Sequence, residues 1–476
     1  MAGLYRQGGD PARRDLLGAG RTHQGGPSQR RRRRGRDPLR RRPARSLHVI
    51  FLTTVLALFA LLILGTPIAI ALMISGLVGY VLTIDFEPGL NALAQIAYGD
   101  LNSFVIGAIP LYVLMGQIML KGGAGKDLFD LAQRVVGRLP GGLGVAAIFA
   151  CAIFAAISGS STATVATIGS ISIPEMLKRG YSRRMTAGSV AVAGSLGILI
   201  PPSISFILYS LVTNTSVGKL FMAGILPGIL LALLFALYTV VQSLRENRLG
   251  IAEQTTSETP PLEWRALGSL AMIIIVLGGI YLGFFTPTEA AAVGVVYALA
   301  LTAIFTRTLT AGLFWAALRD SVVTSAMILM LIAGAGIFGN TLSLLQVPQA
   351  LAGWLDSLQL APWEFLIAVN LLYLVLGMFM DASAAILVTV PILLPALQAL
   401  NIDLIWFGVI LVINMEIGAV TPPVGMNLFV VQSLRDDYSI REVLAGSLPY
   451  ALMGILGLII VMLFPQLALF LPNLVN

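Results

Sequence analysis

The sequence has 476 residues, of which 57% are hydrophobic and only 11% are charged. A soluble domain carries about 25% charged residues, so this composition excludes a soluble protein with a water-facing surface of normal polarity. The single cysteine excludes a disulfide framework, and the two histidines, both before residue 49, argue against a histidine-based metal site or proton relay in a membrane.

The first 46 residues are predicted to form a basic, disordered tail. Residues 1–45 contain 14 of the 30 lysines and arginines but 3 of the 23 acidic residues, so the remainder has 16 basic and 20 acidic residues and a net charge of −4. A segment this rich in Gly, Pro and Arg cannot bury a core. We interpret it as a solvated tail, or as the product of a start codon assigned too far upstream, rather than as a nucleic-acid or anionic-lipid binding segment. No nucleic-acid partner is expected.

Apolar windows of roughly 18 residues recur from residue 47 to residue 475, which is the length that the hydrocarbon core of a bilayer demands. Examples are residues 49–64, 271–285, 290–305, 321–338 and 448–464. A spanning segment must satisfy its backbone groups internally, so these windows are predicted to be helices. The chain is therefore predicted to be a polytopic membrane protein that contacts the lipid bilayer directly.

A self-match at a spacing of about 221 residues indicates an internal repeat. The matched pairs keep one order along the chain, and their offset varies only between 220 and 222. They are residues 65–67 with 285–287, 138–140 with 360–362, 158–174 with 379–395, 201–202 with 422–423, and 223–227 with 445–449. The pattern predicts two membrane repeats, 47–241 and 265–476, joined by a polar linker at 242–264. Two repeats in a polytopic protein are typical of a transporter whose site lies at the repeat interface.

The charges of matching loops predict that the repeats are inverted. The loop at 178–184 contains four basic residues, so the positive-inside rule places it in the cytoplasm, together with the linker. The matching loop at 397–405 has no Lys or Arg and is predicted to be external. The same topology places the arginine-rich tail outside, which conflicts with the rule.

Each repeat contains a segment predicted to form a re-entrant hairpin, at about 143–175 and 363–397. The tips read S-G-S-S-T-A-T at 158–164 and G-M-F-M-D-A-S at 377–383, and the apolar flanks of each tip are too short to span a bilayer. Asp381 in the second tip is an ionisable residue at membrane depth, which by default indicates a functional site. Three interpretations of Asp381 stay open: it binds an ion, caps a half-helix, or faces water.

Each repeat also contains a helix predicted to be broken by two prolines, at about 186–213 and 405–433. Pro201-Pro202 and Pro422-Pro423 remove amide donors and push the preceding residue out of the helical region. The carbonyls freed there suit a small alkali cation, and the amides that start the next half-helix suit an anion. A single proline kink in a membrane helix, or a single tip rich in serine and glycine, more often serves helix packing than binding. Here both features occur twice at the spacing of the internal repeat, which favours a binding site.

At these motifs the sequence resembles the large membrane subunit of the tripartite ATP-independent periplasmic (TRAP) transporters, the DctM type. The resemblance covers residues 47–475 and is carried by S-G-S-S-T-A at 158–163, G-I-L-I-P-P-S at 197–203, M-D at 380–381 and T-P-P-V-G-M-N-L-F at 421–429. It implies an all-α polytopic membrane protein with an elevator-type fold of two inverted repeats, re-entrant hairpins and proline-broken helices. It also implies a multi-pass secondary transporter of the bacterial inner membrane, not an enzyme.

The same resemblance implies sodium-coupled symport of an organic acid anion, such as a C4-dicarboxylate, sialic acid or another carboxylate. A periplasmic substrate-binding protein of the DctP type is expected to deliver the anion, and a small four-helix membrane subunit of the DctQ type is expected as a second partner. No cofactor is implied; sodium ions are the coupling ions.

The resemblance also places site residues at matching positions, where tip groups combine with backbone carbonyls beside each break. The first sodium site falls on Ser158, Ser160, Ser161, Gly197, Ile200 and Pro201. The second sodium site falls on Gly377, Asp381, Gly418, Thr421 and Val424. The substrate is expected between the tips, near Thr162, Ser203, Ser383 and Asn427.

Three other functions are weighed against this one. A stand-alone sodium-coupled elevator transporter for dicarboxylates or citrate shares the hairpins and breaks but needs no binding protein. An intramembrane enzyme is disfavoured because no nucleophile–base pair lies at membrane depth and no histidine follows residue 48. A channel is disfavoured because broken helices in an offset repeat fit alternating access better.

Overall fold

The computed structural model describes residues 44–84, 86–250, 260–261 and 263–474, and within them the chain is helical and contains no strand. Eight of these helical segments are long and apolar enough to cross a membrane, and five shorter apolar helices of 10–17 residues accompany them. The predicted all-α polytopic architecture is confirmed. Residues 1–43 of the predicted basic tail lie outside the described residues.

The first half of the described chain contains ten α-helices. They are α1 (Ala44–Ile63), α2 (Ile68–Thr83), α3 (Phe86–Leu101), α4 (Ala108–Lys121), α5 (Ala124–Val136), α6 (Gly142–Ser158), α7 (Ser161–Lys178), α8 (Arg183–Ser195), α9 (Ile204–Thr213) and α10 (Val217–Arg248). Helix α10 continues to Arg248, so the first residues of the predicted linker are helical, and residues 251–259 of that linker lie outside the described part. The boundaries of the two repeats remain a prediction.

The second half contains another ten α-helices. They are α11 (Trp264–Tyr281), α12 (Pro287–Ala300), α13 (Ala311–Leu344), α14 (Val347–Leu358), α15 (Pro362–Phe379), α16 (Ala382–Ala399), α17 (Leu404–Ala419), α18 (Met426–Ser433), α19 (Ile440–Leu463) and α20 (Gln466–Leu474). The inversion of one half relative to the other remains a prediction from the loop charges.

The arms of the second predicted hairpin are longer than expected. Helices α15 and α16 have 18 residues each, enough by length to cross a membrane. Helix α16 continues through Pro391 and Pro395. In the hydrocarbon core of a bilayer, a helix is the only open-chain structure in which all backbone N–H and C=O groups can be hydrogen-bonded within the segment. A proline inside such a helix leaves one carbonyl of the preceding turn without its donor, and it is tolerated where neighbouring groups bond that carbonyl. Both arms of this hairpin therefore have the length of a full span.

Helices α8 and α19 join the two halves of the chain by direct backbone contact. A Cβ on Gly188 of α8 would overlap the carbonyl of Gly446 in α19, so only glycine permits this approach. Small residues at a crossing point let helix backbones come close and gain van der Waals contact where lipid supplies no hydrophobic driving force.

A cluster of charged residues lies at the end of this same contact. The guanidinium of Arg183, at the start of α8, is 3.0 Å from Asp437 Oδ2 and 3.0 Å from Glu442 Oε1. It also lies 4.7 Å from the ring centre of Tyr438. Arg435 Nε is 2.7 Å from the other carboxylate oxygen of Asp437. Hydrogen bonds from Arg435 and then Arg183 hold the pKa of Asp437 well below its ordinary value.

We expect Arg183→Ala to lower the melting temperature of the detergent-purified protein by a few degrees at pH 7, because it removes both ion pairs and the ring contact. Since the pKa of Asp437 is depressed in the folded protein, its contribution is complete above the ordinary aspartate pKa of 3.8 and is lost as the pH falls through the lower folded value. The difference in melting temperature should therefore persist at pH 5. The control is Arg184→Ala, because Arg184 has no ion pair within the described residues. Equal effects of the two variants would contradict the assignment.

Candidate functional site

The first hairpin tip is a tight turn between α6 and α7. Gly159 has a φ of +60°, a left-handed conformation that favours glycine, and Ser160 caps α7 by accepting a hydrogen bond from the Ala163 amide. Ser158 Oγ lies 2.7 Å from Thr164 Oγ1, which also donates to the Ser160 carbonyl at 2.7 Å. The tip is therefore a small network of hydroxyl and carbonyl oxygens.

The second tip lies between α15 and α16 and is built around Asp381. This residue caps α16, with its carboxylate 2.8 Å from the amide nitrogen of Ser383. The side chain is also exposed. The structure thus shows that Asp381 caps a helix and that its side chain is exposed. Ion binding by Asp381 remains a prediction.

The two predicted helix breaks are present. Helix α8 ends at Ser195, a short 3-10 turn follows, and α9 begins after Pro201-Pro202 with Ser203 as its cap. Helix α17 ends at Ala419, and α18 begins after Pro422-Pro423. Both proline pairs contain a cis peptide bond. The first break is buried, whereas the second has both prolines exposed.

Each tip rests directly on the break of its own half. A Cβ on Gly197 would lie 2.6 Å from the Ser160 carbonyl oxygen, and a Cβ on Gly418 would lie 2.5 Å from Cα and the carbonyl carbon of Gly377. The Gly425 amide after the second break donates to the Met378 carbonyl at 3.1 Å. The structure therefore brings Gly197 to the first tip and Gly418 to the second, and their part in sodium binding remains a prediction.

Other residues of the two predicted sodium sites lie farther from this packing. The side chains of Ile200 and Pro201 line an apolar groove with residues of α6, α10 and α11. Thr421 Oγ1 donates to the Ile417 carbonyl at 2.6 Å, and Val424 is partly buried in the second break. The oxygen groups that these residues offer to a cation are their backbone carbonyls and the Thr421 hydroxyl, whose oxygen keeps its lone pairs while its proton is donated to Ile417.

A hydrogen bond connects the first tip to the second break. Ser161 Oγ lies 3.0 Å from Oδ1 and 2.8 Å from Nδ2 of Asn427, the second residue of α18. The same Nδ2 lies 3.2 Å from the Ala191 carbonyl of α8. Asn427 is completely buried, whereas Ser161 is partly exposed, so this contact between the halves lies at the edge of the buried interior.

A cavity of about 250 Å³ lies between the two tips. Thr162, Ser383 and Asn427, near which the resemblance expects the substrate, line it together with Ser160, Ser161 and Asp381, and their contact with a substrate remains a prediction. Ser203 does not line the cavity: its side chain is completely buried, and its hydroxyl donates to the Ile198 carbonyl. Ser205, two residues later, lines the cavity instead.

Thr324 of α13 is a lining residue that the motifs do not identify. It lies outside both hairpins and both breaks, yet it borders the cavity and an adjoining space of about 410 Å³ on the other side of Ser160 and Thr162. No local pattern marks a single threonine in a 34-residue apolar helix, so only the tertiary packing identifies it.

Four helices begin at the cavity. Their first residues all line it, namely Ser161 of α7, Ile204 of α9, Ala382 of α16 and Met426 of α18. Helix N-termini present amides and the positive end of the helix dipole, and three of these four already have one amide bonded to a capping side chain, from Ser160, Ser203 and Asp381. None of the described lining residues is Lys or Arg. The arrangement can therefore stabilise an anion through amides and hydroxyls rather than through a basic side chain.

Comparisons with known proteins agree on one family. Residues 55–467 match the family described as the DctM component of the tripartite ATP-independent periplasmic transporters. The chain is 41% identical over 399 residues to the C4-dicarboxylate TRAP transporter large permease protein DctM of Pseudomonas aeruginosa, covering 84% of this chain and 93% of that protein. It is 40% identical over 418 residues to the isethionate TRAP transporter permease protein DctMQ of Oleidesulfovibrio alaskensis, covering 87% of this chain and 65% of that protein.

The fold is also similar to that of a solved transporter. The crystal structure of the Alcanivorax borkumensis YdaH transporter superposes with a TM-score of 0.58 at 17% sequence identity, covering 90% of this chain and 98% of that one. At this identity the similarity concerns the fold alone.

Proposed function

Because the chain belongs to the DctM-component family of TRAP transporters, in which it is a multi-pass large permease subunit, we propose that it imports an organic acid anion together with sodium ions across the bacterial inner membrane. Its relatives are named as transporter permeases rather than enzymes. The proposed substrate is an anion similar to a C4-dicarboxylate, or sialic acid or another carboxylate.

The observation that carries the proposal is the cavity at which α7, α9, α16 and α18 begin. Four positive helix ends and several hydroxyl groups favour an anion there, although the Asp381 carboxylate, which caps α16, is also part of the lining. The relatives at 41% and 40% identity are named for C4-dicarboxylate and for isethionate, so overall similarity does not choose between organic anions. In a system with a separate binding protein, that protein can supply much of the selectivity.

The sodium part of the proposal is supported by the oxygen groups at the tips. Ser158 and Thr164 bring two hydroxyls to the Ser160 carbonyl at the first tip. Gly377 and Gly418 bring two backbones into contact at the second, beside the Asp381 cap. Oxygen atoms are the ligands that hard cations prefer, and unwound backbone beside half-helices coordinates sodium in secondary transporters.

We further propose that the chain works with a small four-helix membrane subunit of the DctQ type and a periplasmic binding protein of the DctP type. The family name describes a tripartite periplasmic system, and the chain matches a permease of that system over most of its length. The alternative is a stand-alone sodium-coupled transporter for dicarboxylates or citrate, and no feature of the described residues favours it.

A liposome assay tests this proposal. We expect uptake of a labelled C4-dicarboxylate by the chain, reconstituted with its small subunit, only when both the binding protein and an inward sodium gradient are present. The controls omit the sodium gradient, the binding protein or the small subunit in turn. Uptake that is driven by sodium without a binding protein would contradict the tripartite proposal, and uptake without sodium would contradict the coupling.

A further inference from the structure

Two further spaces continue from the cavity between the tips. The cavity and the adjoining space of about 410 Å³ have Ser160 and Thr162 in common in their linings. A third space, of about 400 Å³, shares Ala163 and Ala166 with the second. Both outer spaces are in the size range of cavities that hold small ligands. The three adjoining spaces, here called the α7 passage, lead away from the tips.

The α7 passage extends towards the side of the membrane that is predicted to be cytoplasmic. Helix α7 ends at Lys178, which begins the basic loop assigned to the cytoplasm by its charge. The α7 residues that line the passage repeat at four-residue intervals and so share one helix face, namely Thr162, Ala163, Ala166, Thr167 and Ser170. Between the first and the last of them the helix rises by about 12 Å.

The α7 face of the passage offers small side chains that can bind an anion only weakly. Thr167 Oγ1 donates to the Ala163 carbonyl at 2.7 Å, and Ser170 Oγ donates to the Thr167 carbonyl at 2.8 Å. Because each hydroxyl has one proton and donates it within the helix, neither hydroxyl has a donor left for an anion. Passage of a solute requires contacts that are weak enough for it to leave, and this face meets that condition.

Opposite charges lie at the two ends of the α7 passage. Within its described lining, Asp381 at the cavity is the only acidic side chain, and Lys126 of α5, in the outermost space, is the only basic one. Lys126 is exposed and has no ion pair within the described residues. It interacts electrostatically with Asp127 and Asp130 of its own helix, neither of which lines the passage. Within the lining, an anion is therefore repelled at the inner end and attracted at the outer end.

We propose that the α7 passage is the route by which the transported anion leaves the cavity for the cytoplasm, and that Lys126 is a positioning residue that attracts the anion to its mouth. This inference rests on the proposed uptake of an organic anion and adds the exit route to it. A fixed charge at a cleft raises the local concentration of the opposite ion, and salt screens this effect. The influence of Lys126 should therefore weaken as the salt concentration rises.

Thiol labelling of the full chain with its small subunit tests the route without any substrate. Cys151 is completely buried, so the wild-type chain should not react and single cysteines can be added to it. We expect Thr167→Cys and Ser170→Cys to react with membrane-impermeant methanethiosulfonate reagents in inside-out vesicles but not in right-side-out vesicles. Ser172→Cys, at a completely buried position of the same helix, should stay unlabelled. Absence of labelling at Thr167→Cys and Ser170→Cys from the cytoplasmic side would overturn the route.

Two reagents of opposite charge test the role of Lys126. Adding Lys126→Gln to Ser170→Cys should lower the reaction rate with an anionic sulfonate reagent, relative to a cationic trimethylammonium reagent, by about threefold at low salt. Lys126→Arg should keep the wild-type ratio, and salt at about 0.5 M should remove the difference. The control is Lys178→Gln, because Lys178 is also an exposed lysine of the predicted cytoplasmic side but does not line the passage. An unchanged ratio in Lys126→Gln at low salt would overturn the role of Lys126.

Uptake into liposomes connects the route to transport. We expect the anionic tag on Ser170→Cys to lower uptake by about tenfold, and the cationic tag to lower it less, because only the anionic tag repels the departing anion. The anionic tag on Lys178→Cys should leave uptake unchanged. Full uptake by Ser170→Cys that carries the anionic tag would contradict the exit route. Failure of the proposed substrate or of sodium coupling would instead abolish uptake in every variant and would leave the labelling results readable.

Discussion

Gly418→Ala is expected to reduce uptake by about tenfold or more and to destabilise the protein by about 1–3 kcal/mol. The added Cβ would lie 2.5 Å from the backbone of Gly377, and a backbone cannot move aside as a flexible side chain can. The second tip must therefore shift away from α17, which displaces Asp381 and Ser383 from the cavity. Uptake in liposomes and the melting temperature in detergent measure the two effects.

Gly278→Ala is the matched control for this substitution. Gly278 is also inside an apolar helix, α11, but a Cβ there meets nothing within 4 Å. Alanine has the higher helix propensity, so this variant should be as stable as wild type or more stable by up to about 1 kcal/mol. If Gly418→Ala kept wild-type uptake and stability, the close contact between tip and break would not be required for transport.

Asn427→Ala is expected to reduce uptake by about tenfold and to lower the free energy of unfolding by about 1–3 kcal/mol, the usual cost of leaving buried partners unsatisfied. The substitution removes the bond to Ser161 across the two halves and leaves the Ala191 carbonyl without this donor. The first tip then loses its connection to α18, and the cavity loses one of its polar groups.

A double-mutant cycle with Ser161→Ala separates the contact from other effects of each substitution. If the two side chains act through their hydrogen bond, the double variant should be less impaired than the sum of the single variants, by about 0.5–1.5 kcal/mol. Ser433→Ala, at the other end of α18, changes only an exposed hydroxyl bonded within its own helix and should leave uptake unchanged. Strict additivity would show that the contact does not couple the tip to the break.

Local chemistry was sufficient to predict the class of the protein and the position of its irregular segments. Long apolar windows leave helices as the only stable open-chain structure in hydrocarbon, and the described part of the chain is all helical. Pro201-Pro202 and Pro422-Pro423 remove donors wherever they occur, so both breaks could be located without knowing what packs around them. The glycine and serines at 158–161 likewise predicted the first tip.

The direction and surroundings of individual side chains depended on the tertiary structure. Ser203 belongs to a family motif but turns inward to bond the Ile198 carbonyl, whereas Ser205 and the unmarked Thr324 reach the cavity. The arms α15 and α16 run longer than their apolar flanks suggested. The carboxyl group of Glu416 in α17 is buried without a hydrogen-bond partner among the described residues, and this became visible only once its neighbours from α8 and α19 were known. One physical reason explains these differences. A helix break or a membrane span is determined by backbone bonds within one segment of the chain. The exposure of a side chain, its place in a cavity lining and its lack of a hydrogen-bond partner are determined by helices that are distant in the sequence.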